Sequence, residues 1–158
     1  MTAHRFPYSR ISRPTDNPLL QFKNQPLLMI GLSNQSNKSN QVVKIISYID
    51  TGSQWCLFRN AYAPFLGIKD YKKTEHSFPL GGIGGPNANI AYFHNLTLLV
   101  FKDHKHPKTK DAIAIQTKIG FVEKDFGIGG ILGVYGFLDR FCFTGNIPEH
   151  YFDLKQMF

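Results

Sequence analysis

Apolar residues never recur at helical spacing for more than about two turns anywhere in this chain. They come instead in short runs, at 27–32, 42–49, 90–93, 96–101, 112–115 and 119–122, each bounded by Gly, Pro, Asn or charged residues. Runs of that length with such boundaries predict strands. The polar stretch 33–41 and the basic stretch 102–110 fall between runs and predict hairpin tips. Helix is confined to 60–66, interrupted by Pro64, and to 136–141. With 14 glycines and 9 prolines punctuating the strands, the pattern predicts an all-β domain: a closed or partly closed antiparallel β barrel with one short C-terminal helix.

Composition narrows the class. The chain has 158 residues and is 42% hydrophobic, enough for one real core, and only 18% charged despite a net charge of +7, which excludes a disordered basic tail. Pro7, Pro14 and Pro18 among polar residues predict an extended N-terminal arm over 1–20, leading into a domain over 21–158. No apolar run approaches the ~20 residues of a spanning helix, and the first residues lack the apolar stretch of a secretion signal, so the expectation is a cytoplasmic protein without membrane contact. Cys56 and Cys142 sit in no Cys-x-x-Cys or Cys/His ligand spacing, which predicts free thiols and neither a disulfide framework nor a metal site. The basic residues are dispersed except in 102–110, and that stretch lacks interleaved aromatics, which argues against nucleic acid as a partner.

One segment carries chemistry. The run 45–49 ends in Asp50-Thr51-Gly52-Ser53. A carboxylate delivered by an apolar strand costs several kcal/mol unless hydrogen bonds compensate it, and Gly52 lets backbone N–H groups approach while Thr51 and Ser53 bring hydroxyls. Two readings fit the triplet: an Asp that opens a turn by bonding its own backbone, or a catalytic carboxylate.

Two further motifs bear on that choice. Leu80-Gly81-Gly82-Ile83-Gly84-Gly85 resembles the glycine-rich flap tip of the retropepsins, the single-domain aspartic proteases typified by the retroviral enzymes. Gly130-Ile131-Leu132-Gly133, followed by Phe137-Leu138-Asp139-Arg140-Phe141, resembles the apolar-apolar-Gly element and short helix near the end of those chains. The motifs stand in the family's order and frame 42–154, and Ile119-Gly120-Phe121-Val122 is more similar to the bacterial branch than to the viral one.

The resemblance implies an aspartic endopeptidase. It needs two carboxylates sharing a proton, this chain supplies one Asp-Thr-Gly, and the site is completed by a homodimer in which Asp50 meets its symmetry mate. It further implies a peptide or protein substrate, a flap at Gly81, Gly82, Ile83, Gly84 and Gly85, no metal or organic cofactor, Thr51 interlocked with the partner's backbone, and Gly52 presenting its carbonyl to substrate. Ser53, donating to the carboxylate, would favour its ionised form and an acidic working range. Gln54 and Val134 stand where the viral pattern has an acidic residue and an arginine, so that ion pair is absent. A peptide-binding domain without hydrolysis is the alternative on the same fold; a basic nucleic-acid-binding β domain is a weaker one. The apolar stretch 151–158 wants cover, either woven into a partner's sheet or packed on its own domain.

Overall fold

The computed structural model describes residues 2–12, 16–18, 22–37, 41–81, 89–124 and 127–157. Its strands are β1 (Ala3–Pro7), β2 (Ser9–Ser12), β3 (Phe22–Gln25), β4 (Leu27–Ser33), β5 (Val42–Ile49), β6 (Leu57–Arg59), β7 (Ser77–Leu80), β8 (Asn89–Val100), β9 (Ile113–Val122), β10 (Gly130–Leu132), β11 (Phe141–Asn146) and β12 (Tyr151–Gln156). Single 3-10 turns occupy Asn60–Tyr62 and Pro64–Leu66, with Pro64 at the seam as the sequence requires, and Thr109–Asp111. Among the described residues no helix is long and apolar enough to cross a membrane.

Seven strands form one ring-like sheet in the order β4-β5-β10-β6-β9-β8-β7, and an additional pairing of β4 with the far half of β8 closes the ring, with β7 beside the near half of β8. This ring is the form the expected barrel takes. It is not wholly antiparallel, because β10 runs parallel to β5 and β6 parallel to β9. The runs 90–93 and 96–101 merge into β8, and 112–115 and 119–122 into β9. His94 and Asn95 do not interrupt β8, because they keep their register with Ile119 and Lys118 and lie on accessible positions, so the pairing continues through the polar residues. The tip 102–110 joins these two strands, and Asp103 Oδ1 shapes it by accepting the N–H groups of Lys105 (2.8 Å) and His106 (3.2 Å).

The expected helix at 136–141 is absent. Gly136 has φ +91°, outside the right-handed helical region, and a Cβ there would collide with Thr117 Oγ1. The chain winds through turns instead, with Leu138 N–H on Gly133 O (3.1 Å) and Asp139 N–H on Val134 O (2.9 Å).

A second sheet, β1-β12-β11, gathers both ends of the chain, and β2 pairs with β3 in a separate ribbon. The C-terminal stretch therefore takes the self-packed alternative: Tyr151–Gln156 lies between β1 and β11 of its own chain. Phe6, Phe152 and Leu154 from this sheet join Leu28, Ile30, Phe58, Leu98 and Phe121 of the ring, and Phe137 of the turns after β10, in one continuous core. Leu57, Ala91, Phe93 and Val122 form a smaller cluster, packed by Trp55, Leu80 and Ile131.

Candidate active site

Strand alternation decides where Asp50 points. Along β5, Ile45, Ser47 and Ile49 are buried while Ile46 is 50% exposed and Tyr48 half-buried. Asp50 continues the accessible series, so the strand delivers the carboxylate away from the main core and leaves it half-buried. Its backbone is fixed first: Ile49 N–H donates to Pro26 O (3.0 Å) and Asp50 N–H to Leu132 O (3.0 Å). A turn follows, closed by Ser53 N–H on Asp50 O (3.2 Å), and Gly52 N–H donates to Asp50 Oδ1 (2.9 Å). This is an Asx turn, the local device the triplet permits on its own. The same bond also holds one carboxylate oxygen still. Among the described residues no cation pairs with Asp50.

Thr51 and Gly52 are exposed at the apex of this turn. Ser53 departs from expectation: its hydroxyl donates to Trp55 O (2.9 Å) and not to the carboxylate. The acidic working range argued from Ser53 loses its basis, because a hydroxyl proton committed to a backbone carbonyl is not also given to Asp50.

The glycine-flanked strand β10 lies between β5 and β6, with Ile131 beside Tyr48 on one side and Leu57 on the other, and Leu132 beside Ile49. Beyond it the chain straps the Asp50 loop. Val134 N–H donates to Ser53 O and Tyr135 N–H to Gln54 O, both at 2.9 Å, and Trp55 and Tyr135 form a parallel bridge. Gly133 makes this contact possible, since a Cβ on it would collide with Trp55 O and stand 2.7 Å from Ser53 O. Sequence reasoning missed the aromatic part of the clasp: the Trp55 ring lies 5.1 Å from both Phe93 and Tyr135, and Tyr135 stays 49% exposed. No signal in the sequence joins Trp55 to Tyr135; the pairing of distant segments does.

Of the expected flap, Gly81 is exposed at the end of β7, and Gly82, Ile83, Gly84 and Gly85 lie outside the described residues. The arms are antiparallel, Leu80 facing Asn89 and Phe78 facing Ala91. The base of this hairpin is anchored by Thr74, whose hydroxyl donates to Phe93 O (2.6 Å), and by Phe93 N–H on His76 O (2.9 Å).

Cys56 is fully buried behind the clasp, its thiol directed at Tyr135 O (3.4 Å), and burial pushes its pKa up to about 12. It is an inert core thiol, not a redox handle. At pH 8 only about 10⁻⁴ of such a group is thiolate. Iodoacetamide on the native chain is therefore expected to label exposed Cys142 and to spare Cys56 until denaturant is added; mass spectrometry showing comparable labelling of both would contradict that burial. Among the described residues no three His, Cys, Asp or Glu side chains are grouped to hold a metal ion.

No protein-family model matches the sequence, and no curated protein does. Solved structures do. A retropepsin-like aspartic protease from Rickettsia conorii superposes with a TM-score of 0.54 at 17% identity, over 97% of this chain and 91% of that one. The fold is retropepsin-like. The retroviral protease-like domain of Ddi1 from Leishmania major aligns at TM-score 0.48 and 12% identity, over 83% of this chain and 94% of that one.

Proposed function

We propose that this chain is an aspartic endopeptidase that works as a homodimer, with Asp50 of each copy forming the catalytic pair. What carries the reading is the placement of the lone Asp-Thr-Gly carboxylate: half-buried at the end of β5, pinned through Oδ1 by Gly52 N–H, and strapped by the 132–135 segment on a retropepsin-like fold. A carboxylate used only to close a turn needs no second segment to hold that turn in place.

The chemistry follows from two such groups. Two like charges a few ångströms apart do not both ionise easily, so the pair keeps one proton. The ionised member takes a proton from water as the water oxygen attacks the peptide carbonyl carbon; the protonated member gives its proton to the carbonyl oxygen. The resulting gem-diol collapses when a proton passes to the amide nitrogen and the C–N bond breaks, with no covalent intermediate. In this reading Thr51 and Gly52, exposed at the apex, meet the partner and the peptide backbone.

Activity should track dimer. In a dilution series followed by peptide-library cleavage and sedimentation together, specific activity is expected to fall in step with the dimer fraction; constant specific activity in a purely monomeric sample would rule the shared site out. A non-catalytic peptide-binding domain is the second reading, favoured by the Asx turn, which satisfies Asp50 without any reaction. Peptide binding with no cleavage at any pH would select it.

A further inference from the structure

The inner face of the sheet that gathers the chain ends changes character at one end. Opposed residues of an antiparallel pair lie on the same face, and every second residue along a strand returns to it. Phe6 faces Phe152 and His4 faces Leu154, so these four share the side that packs on the ring. One step further the register carries Thr2 opposite Gln156. Where Phe6, Phe152 and Leu154 are buried, the same face ends in half-buried His4 and Gln156 and exposed Thr2. Imidazole, amide and hydroxyl thus stand where an apolar face would have continued the core.

Across from them is the base of the β8–β9 tip, where Lys102 follows Phe101 and Ile113 opens β9. Thr2, His4, Lys102, Ile113 and Gln156 together line a recess of about 290 Å³. His104 holds the tip against the sheet, its ring edge-on to Phe6 with centroids 6.4 Å apart. A cavity of about 150 Å³ suffices for a benzene ring, so this recess has room for a ring and a polar head, and a bare ion would leave most of it to water.

Charge sets the sign of that head. Among the described residues no carboxylate pairs with Lys102 or His4. The neighbouring acids are engaged elsewhere: Asp103 with the N–H groups of Lys105 and His106, and Asp153, on the opposite face of the sheet, with Arg5 at 2.9 and 3.0 Å. Between 102 and 110 four lysines stand against one aspartate, in a chain of net charge +7, and protein walls concentrate such a field inside a recess.

We propose that this recess is a second binding site, for a small organic anion. Lys102 and His4 bond its phosphate or carboxylate head, Thr2 and Gln156 supply uncharged donors, and its apolar body lies against Ile113. The site shares no residue with the Asp50 loop, its strap or the β7–β8 hairpin, so it stands whether or not Asp50 hydrolyses peptides. A bound ligand ties the basic tip to the terminal sheet and thereby stabilises the folded chain.

Amide NMR of the full chain, titrated with phenyl phosphate, benzoate and uncharged benzyl alcohol, tests this. Saturable shifts at Thr2, His4, Lys102, Ile113 and Gln156 are expected with at least one of the two acids, with a dissociation constant on the order of 1 mM, and not with benzyl alcohol. Tighter binding of phenyl phosphate names a phosphate ester as the ligand class, and tighter binding of benzoate a carboxylic acid. Lys102→Gln and His4→Leu should each raise that constant about tenfold, whereas Lys105→Gln, in the same tip but outside the recess, should change it less than about twofold. The acid that binds should also raise the Tm of the wild-type chain more than that of Lys102→Gln. Three results would overturn the site: no saturable shift at those amides with either acid up to about 20 mM, equal shifts with benzyl alcohol, or an affinity that Lys102→Gln and His4→Leu leave unchanged. Lys105→Gln as damaging as Lys102→Gln would overturn it too, reducing it to diffuse attraction by a basic loop.

Discussion

Replacing Asp50 by Asn is expected to abolish peptide cleavage while leaving the folded chain intact. The amide oxygen of Asn accepts the Gly52 N–H as Oδ1 does now, and the residue is half-buried with no ion pair among the described residues, so the stability change should stay within about 0.5 kcal/mol. The effect on rate is of another order. A positioned acid or base contributes roughly 10²–10⁴-fold, and in a homodimer the substitution removes both members of the pair at once, so kcat should fall at least about 10³-fold. For the proposed shared site, mixing gives a sharper readout than the variant alone. Equal amounts of wild-type and Asp50→Asn chains, allowed to exchange, leave about one quarter of the dimers with two carboxylates. Activity in the mixture should drop to about half that of the same quantity of wild type kept separate, and further as the variant is added in excess. Strict additivity in the mixing experiment, or an Asp50→Asn chain that cleaves at more than about a tenth of the normal rate, would move the catalytic group elsewhere.

The parts of this molecule legible in its sequence are those written in local grammar. The alternation of 45–49 sets which face of β5 is buried, and Asp50-Thr51-Gly52 marks the turn that follows; both depend on residues within a few positions of one another. The strands at 27–33 and 42–49 are legible for the same reason. Run length misleads where a strand crosses from one environment to another. In β8, alternation from Asn89 to Asn95 gives way to unbroken burial from Leu96 to Val100, so one strand reads as two. The missing helix at 136–141 turns on a single backbone angle at Gly136, pressed against Thr117 of a distant strand. Ser53 shows the limit at the site itself: residue type gives a hydroxyl, but only the fold gives its acceptor, and the Trp55 carbonyl lies nearer than any spacing rule conveys. The clasp of Trp55, Phe93 and Tyr135 is less legible still, since it joins three segments that meet only once the ring has closed.

That clasp gives the second large effect. In Gly133→Ala the new methyl meets the backbone of another segment, the Trp55 carbonyl and Ser53 O at 2.7 Å, and neither can rotate out of the way as a side chain would. Either β10 or the 53–55 loop must shift. Overpacking of this kind costs typically about 1–3 kcal/mol, and for a chain of this size each kcal/mol lowers Tm by roughly 2–4 °C. Any shift of the loop is transmitted along Val134 N–H to Ser53 O and Asp50 N–H to Leu132 O, the bonds that fix the carboxylate, and a displacement of about 1 Å at a catalytic group costs on the order of 10² in rate. Stability and activity should thus fall together, unlike Asp50→Asn, where only activity falls. Gly81→Ala is the matching control, because a Cβ there has nothing within 4 Å and its Tm should be unchanged. Amide hydrogen exchange separates a local from a global effect. Faster exchange at Ser53, Val134 and Tyr135 with unchanged protection in β8 and β9 would place the damage in the strap, whereas a Gly133→Ala chain with wild-type Tm and wild-type exchange at those amides would show that Gly133 does not hold the Asp50 loop.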